Sequence, residues 1–271
     1  MKKIICPTDF SETADNGIVY AAKLAQRTGA SLTLFHVESL MEHTLGEAVM
    51  GETFNVQAAT QKLAAQCEQI RQAFHISVAC EVQATGRSVI AEIADQAARH
   101  DCVVMGSEGP HDLVQFLIGS HTYRTLRQVQ RPLLLVPAGY GYSEVRQLVF
   151  AYDYLKNGKL PLKQLLAVTA GWSCKITVLQ VCRESYTRAM EEKMLSVQQQ
   201  IRHLFPTAPL VFDTVYASEV VATLHSYVQR NAMDLLALCT KDYPFMEGLF
   251  HKSTIKAMSV IASYPVLITH E

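Results

Sequence analysis

Short runs of consecutive apolar residues take turns, along this chain, with longer stretches whose apolar positions recur every three or four residues. Lys2–Pro7 reads as a buried strand, and Thr8-Asp9-Phe10-Ser11-Glu12 as the turn into a helix. Ser11 suits an N-cap, Ala14, Ile18, Ala21, Ala22 and Ala25 form one apolar stripe, and Gly29 stops the helix. Ser31–Val37 is rich in β-formers and predicts a second strand, whereas residues 38–55, with Gly46 and Gly51, read as a loop or lid. Val56, Ala59, Leu63, Cys67, Ile70 and Phe74 mark a second helix. Ile76–Ala84 predicts a third strand, Gly86-Arg87-Ser88 a turn, and Val89, Ile90, Ile93, Ala94 and Ala97 a third helix. Asp101–Gly106 is a fourth strand. A helix is expected around Thr122–Val129, followed by Arg131-Pro132 and the strand Leu133–Val136. Strands and helices in alternation with short connections argue a parallel sheet covered on both faces. Gly139–Ser143 reads as a linker.

The pattern then restarts. Gln147–Tyr152 followed by Asp153 mirrors Lys3–Thr8 followed by Asp9, and Thr177–Val181 mirrors Thr33–Val37, both 144 positions on. Asp234–Thr240 mirrors Asp101–Ser107, and Tyr264-Pro265 mirrors Arg131-Pro132, both 133 positions on. The difference, 144 − 133 = 11, places a shorter loop before the second helix of the second copy. The chain is a tandem repeat of one α/β unit, divided as residues 1–140 and 141–271.

Composition narrows the classes. A length of 271 residues, 49% hydrophobic and 18% charged, describes a globular chain with ample core. The formal net charge is −1 and the Lys and Arg residues are dispersed, so no nucleic-acid or anionic-membrane footprint is present. No apolar run approaches the roughly 18–20 residues of a membrane span. Pro7 and Asp9 come too early for a signal peptide, so a cytoplasmic location is the default expectation. The seven cysteines, with no C-x-x-C and no clustered histidines, read as buried free thiols rather than zinc ligands.

One stretch carries candidate chemistry. Met105-Gly106 ends the fourth strand and begins the spacing Gly106-x2-Gly109-x9-Gly119-Ser120, with His121 and Thr122 opening a new helix. Glycines at the carboxyl edge of a sheet expose backbone N–H groups, and a helix start adds orphan donors and a positive dipole end. A polyphosphate suits such a place; turn punctuation explains the glycines equally simply. Neither of the best-known phosphate-loop spacings occurs.

Ile5-Cys6-Pro7-Thr8-Asp9-Phe10-Ser11-Glu12-Thr13-Ala14, the later His36-Val37 and the glycine spacing together resemble the universal stress proteins, in a tandem form covering nearly the whole chain. The resemblance implies two open, mostly parallel five-stranded sheets with helices on both faces, of the adenine nucleotide alpha hydrolase-like kind. It also implies a pseudo-dimer within one chain, in which Leu133–Val136 and Val266–Thr269 pair antiparallel; a further homodimer is compatible with it. In nucleotide-binding members, the positions matching Pro7, Thr8 and Asp9 sit against the nucleoside. Val37 matches the residue that offers its backbone to adenine. Met105, Gly106, Gly109, Gly119, Ser120, His121 and Thr122 match the segment around ribose and phosphates. Asp9 is also placed to cap the helix, and His36 reads as a hydrogen-bonded core histidine. Glu108 departs from the pattern, since a carboxylate repels phosphate unless it points outward or Mg2+ bridges the two.

The second copy departs further. Gly106, Gly109 and Gly119 correspond to Cys239, Asp242 and Lys252, with only Ser253 kept opposite Ser120. Pro7 and Thr8 become Ala151 and Tyr152, while Asp153 is retained. Tyr152, Tyr154, Tyr243 and Phe245 either fill an unused cleft or line one for another ligand. The expected function is an ATP-binding stress or regulatory protein with nucleotide in the first half only, acting on a protein partner the sequence does not name. The alternatives are an interaction or small-molecule-binding module without nucleotide, and an adenylating enzyme. No H-x-G-H, S-G-G-x-D-S or paired-carboxylate site supports the enzyme, although slow ATP hydrolysis stays compatible with bound phosphates.

Overall fold

The computed structural model describes residues 1–39, 50–107, 129, 131–153, 155, 160–182, 187–240 and 262–270. The first half runs β1 (Lys3–Pro7), α1 (Glu12–Thr28), β2 (Ser31–Ser39), α2 (Met50–Phe74), β3 (Val78–Thr85), α3 (Val89–Ala97), β4 (Cys102–Ser107) and β5 (Leu133–Pro137). The second runs β6 (Gln147–Ala151), α4 (Leu160–Thr169), β7 (Lys175–Cys182), α5 (Arg188–Leu204), β8 (Leu210–Tyr216), α6 (Val220–Arg230), β9 (Leu235–Thr240) and β10 (Val266–His270). Glu108, Gly109, Gly119, Ser120, His121 and Thr122, with the helix expected at 122–129, lie outside the described residues apart from Val129. So do Tyr154, Asp242, Tyr243, Phe245, Lys252 and Ser253.

Among the described residues, ten strands make one sheet in the order β3-β2-β1-β4-β5-β10-β9-β6-β7-β8. Each half is parallel throughout, ordered 3-2-1-4-5 or its equivalent. The halves meet at one antiparallel pair, with Val266 opposite Leu135, Leu267 opposite Leu134 and Ile268 opposite Leu133. This is the pairing expected of the two last strands. It leaves β3 and β8 as the outer edges and removes both inner ones.

Strand side chains alternate between two cores, as a sheet buried on both faces requires. Ile4, Cys6, Leu32, Leu34, Leu134 and Leu267 face one core with α1, α2, α4 and α5. Ile5, Phe35, Leu133, Leu135, Val266 and Ile268 face the other with α3 and α6. The repeat extends to detail. Asp101 Oδ2 accepts from the Lys2 and Lys3 amides at 2.6 and 3.0 Å. Asp234 Oδ2 accepts from the Arg146 and Gln147 amides, both at 2.8 Å. Each carboxylate thereby ties the start of a half's last-but-one strand to that of its first.

Two expectations need correction. β2 reaches Ser39 and α2 covers Met50–Phe74, so residues 38–39 and 50–55 belong to regular elements; residues 40–49 lie outside the described residues. The linker segment Gly139–Ser143 packs on the first half: Tyr142 lies edge-on against buried Tyr20 at 5.0 Å between ring centroids. Asn16 Nδ2 donates to the Pro137 carbonyl at 2.9 Å, and Arg27 pairs with Glu144. Finally, five cysteines are buried free thiols, but Cys67 and Cys80 are joined in a disulfide between α2 and β3.

Leu267 is fully buried in the antiparallel seam. Leu267→Ala should therefore cost about 2–5 kcal/mol in chemical denaturation; a cost below about 1 kcal/mol would show a seam that carries little stability. A second prediction concerns acid. Burial acts to raise the Asp101 carboxyl, but the Lys2 and Lys3 amides, helped by the N-terminal amine and Arg131, hold it below its ordinary value. A lowered carboxyl contributes stability above its unfolded value of about 3.9 and loses it as pH falls through the lower folded value. Asp101→Asn should thus be less stable than the parent by about 1 kcal/mol at neutral pH, solvent screening included. The gap should close as pH drops below about 4. A pH-independent gap in unfolding free energy would contradict this.

Candidate functional site

In an order of 3-2-1-4-5, connections leave β1 in opposite directions on its two sides, so a crevice opens at the carboxyl ends of β1 and β4. A cavity of about 520 Å3 lies there. Pro7, Thr8, Asp9, Val37, Met105 and Gly106 all line it. Five further positions singled out from the sequence, Gly109, Gly119, Ser120, His121 and Thr122, lie outside the described residues.

The turn after β1 is built from local bonds. The Phe10 amide donates to Thr8 Oγ1 at 3.0 Å, the Ser11 amide to Asp9 Oδ1 at 2.9 Å, and the Ala14 amide to Ser11 Oγ at 3.1 Å. Ser11 is the N-cap of α1, as expected. Phe10 takes φ 64°, a left-handed conformation that costs a non-glycine about 1–2 kcal/mol. Packing holds it there: its ring lies 4.4 Å from the His36 ring, with Lys62 Nζ 4.5 Å from its centroid on the other element, α2. His36 is buried, and its Nδ1–H donates to the Thr8 carbonyl at 2.8 Å, while Nε2 lies 3.2 Å from Glu38 Oε2. The histidine thus fixes the turn from β2, as a hydrogen-bonded core residue. Burial acts to raise the Asp9 carboxyl. Bonds from the Ser11 hydroxyl and amide and from its own amide, with His36 nearby, outweigh this and hold it below its ordinary value. Asp9 is exposed and presents an ionised carboxylate at the cavity.

Val37 is placed by the register of β2. The Ser31 amide donates to the Lys2 carbonyl, and the Phe35 carbonyl accepts from the Thr8 amide, both at 2.9 Å. Residues 31, 33, 35 and 37 therefore turn their backbone groups toward β1, but the β1–β2 ladder ends at Pro7 opposite Phe35. Val37, two residues on, points its N–H and C=O into the crevice.

Gly106 is explained differently from the sequence reading. A Cβ there would overlap the carbonyl of Thr13, and one at Gly17 would overlap the amide of Gly106. Both glycines let α1 lie directly on the end of β4, which brings Thr13 and Ala14 into the cavity wall. The glycine is required by helix packing whether or not a phosphate binds. Sequence reasoning also missed the wall opposite: Val89, Ile90 and Ile93 of α3, with Leu135 of β5. Their signal was the apolar stripe of α3, which reads as ordinary core. Ser39 and Ser107 add hydroxyls at the rim and floor. Among the described residues, no group of three or more His, Cys, Asp or Glu side chains could hold a metal ion.

The equivalent place in the second half is built otherwise. Cys239 stands for Gly106 and Pro161, within α4, for Gly17, so neither position of that close glycine contact is kept. Tyr152, in the position of Thr8, is buried and stacks on Phe150 at 4.9 Å between ring centroids. Asp153 keeps the local bond of Asp9, its Oδ1 accepting from the Leu155 amide at 3.2 Å, but at 5% exposed it is buried where Asp9 is exposed. Gln180 replaces His36 and is likewise buried.

Comparison with known proteins gives three findings. The model of the universal stress protein family matches residues 1–137. No curated protein matches the chain. Solved structures of similar fold include a universal stress protein from Archaeoglobus fulgidus DSM 4304, at 13% identity and TM-score 0.74, covering 99% of this chain and 98% of that one. A protein from Pseudomonas aeruginosa UCBPP-PA14 aligns at 12% identity and TM-score 0.62, covering 100% of this chain and 93% of that one. At such identities the likeness is one of fold. No helix among the described residues is long and apolar enough to cross a membrane.

The glycine contact yields a prediction. Gly106→Ala should destabilise the chain by about 3 kcal/mol, since the obstructing atoms are helix backbone and α1 must shift as a unit. An unchanged denaturation midpoint, at unchanged slope, would show that α1 does not lie on β4 as described.

Proposed function

Because the chain belongs to the universal stress protein family, we propose that it is an adenine-nucleotide-responsive regulatory protein that binds one ATP in the cavity of its first half. In this reading residues 1–140 form the binding domain and residues 141–271 a structural partner domain, the two making a pseudo-dimer within one chain. The observation that carries the proposal is the unpaired register of Val37 at a cavity with apolar walls. A C=O and an N–H side by side complement the N6 donor and N1 acceptor of adenine. Val89, Ile90, Ile93 and Met105 supply the flat apolar faces that a purine needs. Asp9, ionised and exposed, suits ribose hydroxyls as an acceptor. Its charge directs the phosphates away from this turn, and by the family resemblance Gly109, Gly119, Ser120, His121 and Thr122 are the positions proposed to take them. The buried Asp153 and the Cβ of Cys239 argue against an equal site in the second half. Among the described residues no side chain at the cavity is arranged as a nucleophile with its base; in this reading the role is binding and response, with slow hydrolysis at most.

Calorimetry on the full chain, with ATP in the presence and absence of Mg2+, tests this reading. One site per chain is expected. Asp9→Ala should weaken binding about tenfold, the loss of one charged hydrogen-bond acceptor. Gly119→Val should abolish it with circular dichroism unchanged, because a branched side chain at a position proposed to admit phosphate would fill the space the ligand needs. Binding that survives Gly119→Val at full affinity would leave that glycine as a turn residue. No heat with ATP, but binding of an uncharged small molecule, would favour the nucleotide-free alternative.

A further inference from the structure

The cysteines divide by surroundings. Cys6, Cys102, Cys174, Cys182 and Cys239 are buried free thiols, and burial foremost pushes Cys102 up to about 12 and Cys174 up to about 11. Such thiols are inert near neutral pH. Cys67 and Cys80 differ from these. Cys80 is exposed on β3, the edge strand of the sheet, and Cys67 is fully buried on α2. Their Cα atoms are 6.4 Å apart and their sulfurs are bonded.

Arg71, one turn along α2 from Cys67, completes the cluster. Its Nη2 lies 3.5 Å from Cys80 Sγ, while its Nε and Nη2 donate to the Val78 carbonyl at 3.1 and 2.7 Å. Those two bonds fix the guanidinium beside the sulfur; Glu68 takes Nη1 at 3.1 Å on the outer side. An exposed sulfur beside a held cation favours the thiolate, and a second sulfur within bonding reach removes whatever the first acquires.

We propose that Cys80 and Cys67 form a reversible thiol–disulfide site, in which exposed Cys80 exchanges with low-molecular-weight disulfides and buried Cys67 resolves the product. The Cys80 thiolate attacks one sulfur of the small disulfide, forming a mixed S–S bond and releasing the other half as a thiolate that takes a proton from solvent. Cys67 gives up its proton to solvent and attacks Cys80 Sγ, which forms the Cys67–Cys80 bond and releases the second small thiol. Two protein thiols are oxidised and one disulfide is reduced to two thiols. The reverse also runs through Cys80, since only its sulfur is accessible to an incoming thiolate. The bond clasps α2 to the edge strand and so changes how firmly this helix is held.

The test titrates the full-length reduced protein with oxidised and reduced glutathione, counting free thiols by alkylation and mass spectrometry. The wild-type chain should pass from its seven thiols to five and back, with one peptide pair linked through Cys67 and Cys80. Cys67→Ser should retain one glutathione on Cys80, and Cys80→Ser should take none. In the Cys67→Ser background, Arg71→Met should slow glutathione uptake about tenfold and Arg71→Lys should restore most of the rate. The proposal is overturned if Cys80 takes up no glutathione in Cys67→Ser. Equal uptake at Cys67 in Cys80→Ser, or a wild-type bond that resists a large excess of reduced glutathione, would overturn it as well.

Discussion

The site in this protein depends on how closely one helix can lie on one strand. Gly17 and Gly106 leave no side chain between α1 and the end of β4, and a Cβ on either would strike backbone. The contact carries the first turn of α1 to the carboxyl edge of the sheet. Thr13 and Ala14 then form one wall of the cavity, and the turn Thr8–Ser11 stands at its rim. The remaining features follow from that placement. His36 ties the turn to β2, the ionised Asp9 faces the opening, and β1 ends early enough to leave the backbone of Val37 pointing inward.

The second half shows what the same fold does without this glycine contact. Pro161 and Cys239 replace the two glycines, Tyr152 fills the side of the sheet that Thr8 leaves small, and the retained carboxylate of Asp153 is buried. The sheet order and the carboxylate ties of Asp101 and Asp234 are common to both halves, so the fold survives changes that alter the edge. The antiparallel seam between β5 and β10 lets the second half serve as a cover for the first half's open edge.

Much of this was legible in the sequence, for physical reasons that differ between elements. Buried parallel strands must be apolar runs, and the run-and-helix rhythm repeated at fixed offsets, so the two-fold architecture could be read directly, whereas the pairing of the last strands was implied by the resemblance to the universal stress proteins. Six site positions gathered at one cavity because they sit at strand ends, and strand ends are visible in an apolar run. The wall made by α3 was not legible, because Val89, Ile90 and Ile93 look like any core-facing stripe until the cavity is seen between helix and sheet. Nor was the meaning of Gly106: a glycine required by a helix packed from afar looks identical to one required by a ligand. That residues 50–55 belong to α2 was not legible, because Gly46 and Gly51 read as loop punctuation. The Cys67–Cys80 bond was hidden because it depends on α2 lying over β3, thirteen residues apart in sequence.

The proposed function requires a competent first half and an eroded second half. Native mass spectrometry of the freshly purified full-length chain, before and after addition of ATP, reads this directly. One added adenine nucleotide per chain at saturation is the predicted result, with none retained by the Gly119→Val variant. Two nucleotides per chain, or one that Gly119→Val leaves undisturbed, would contradict it.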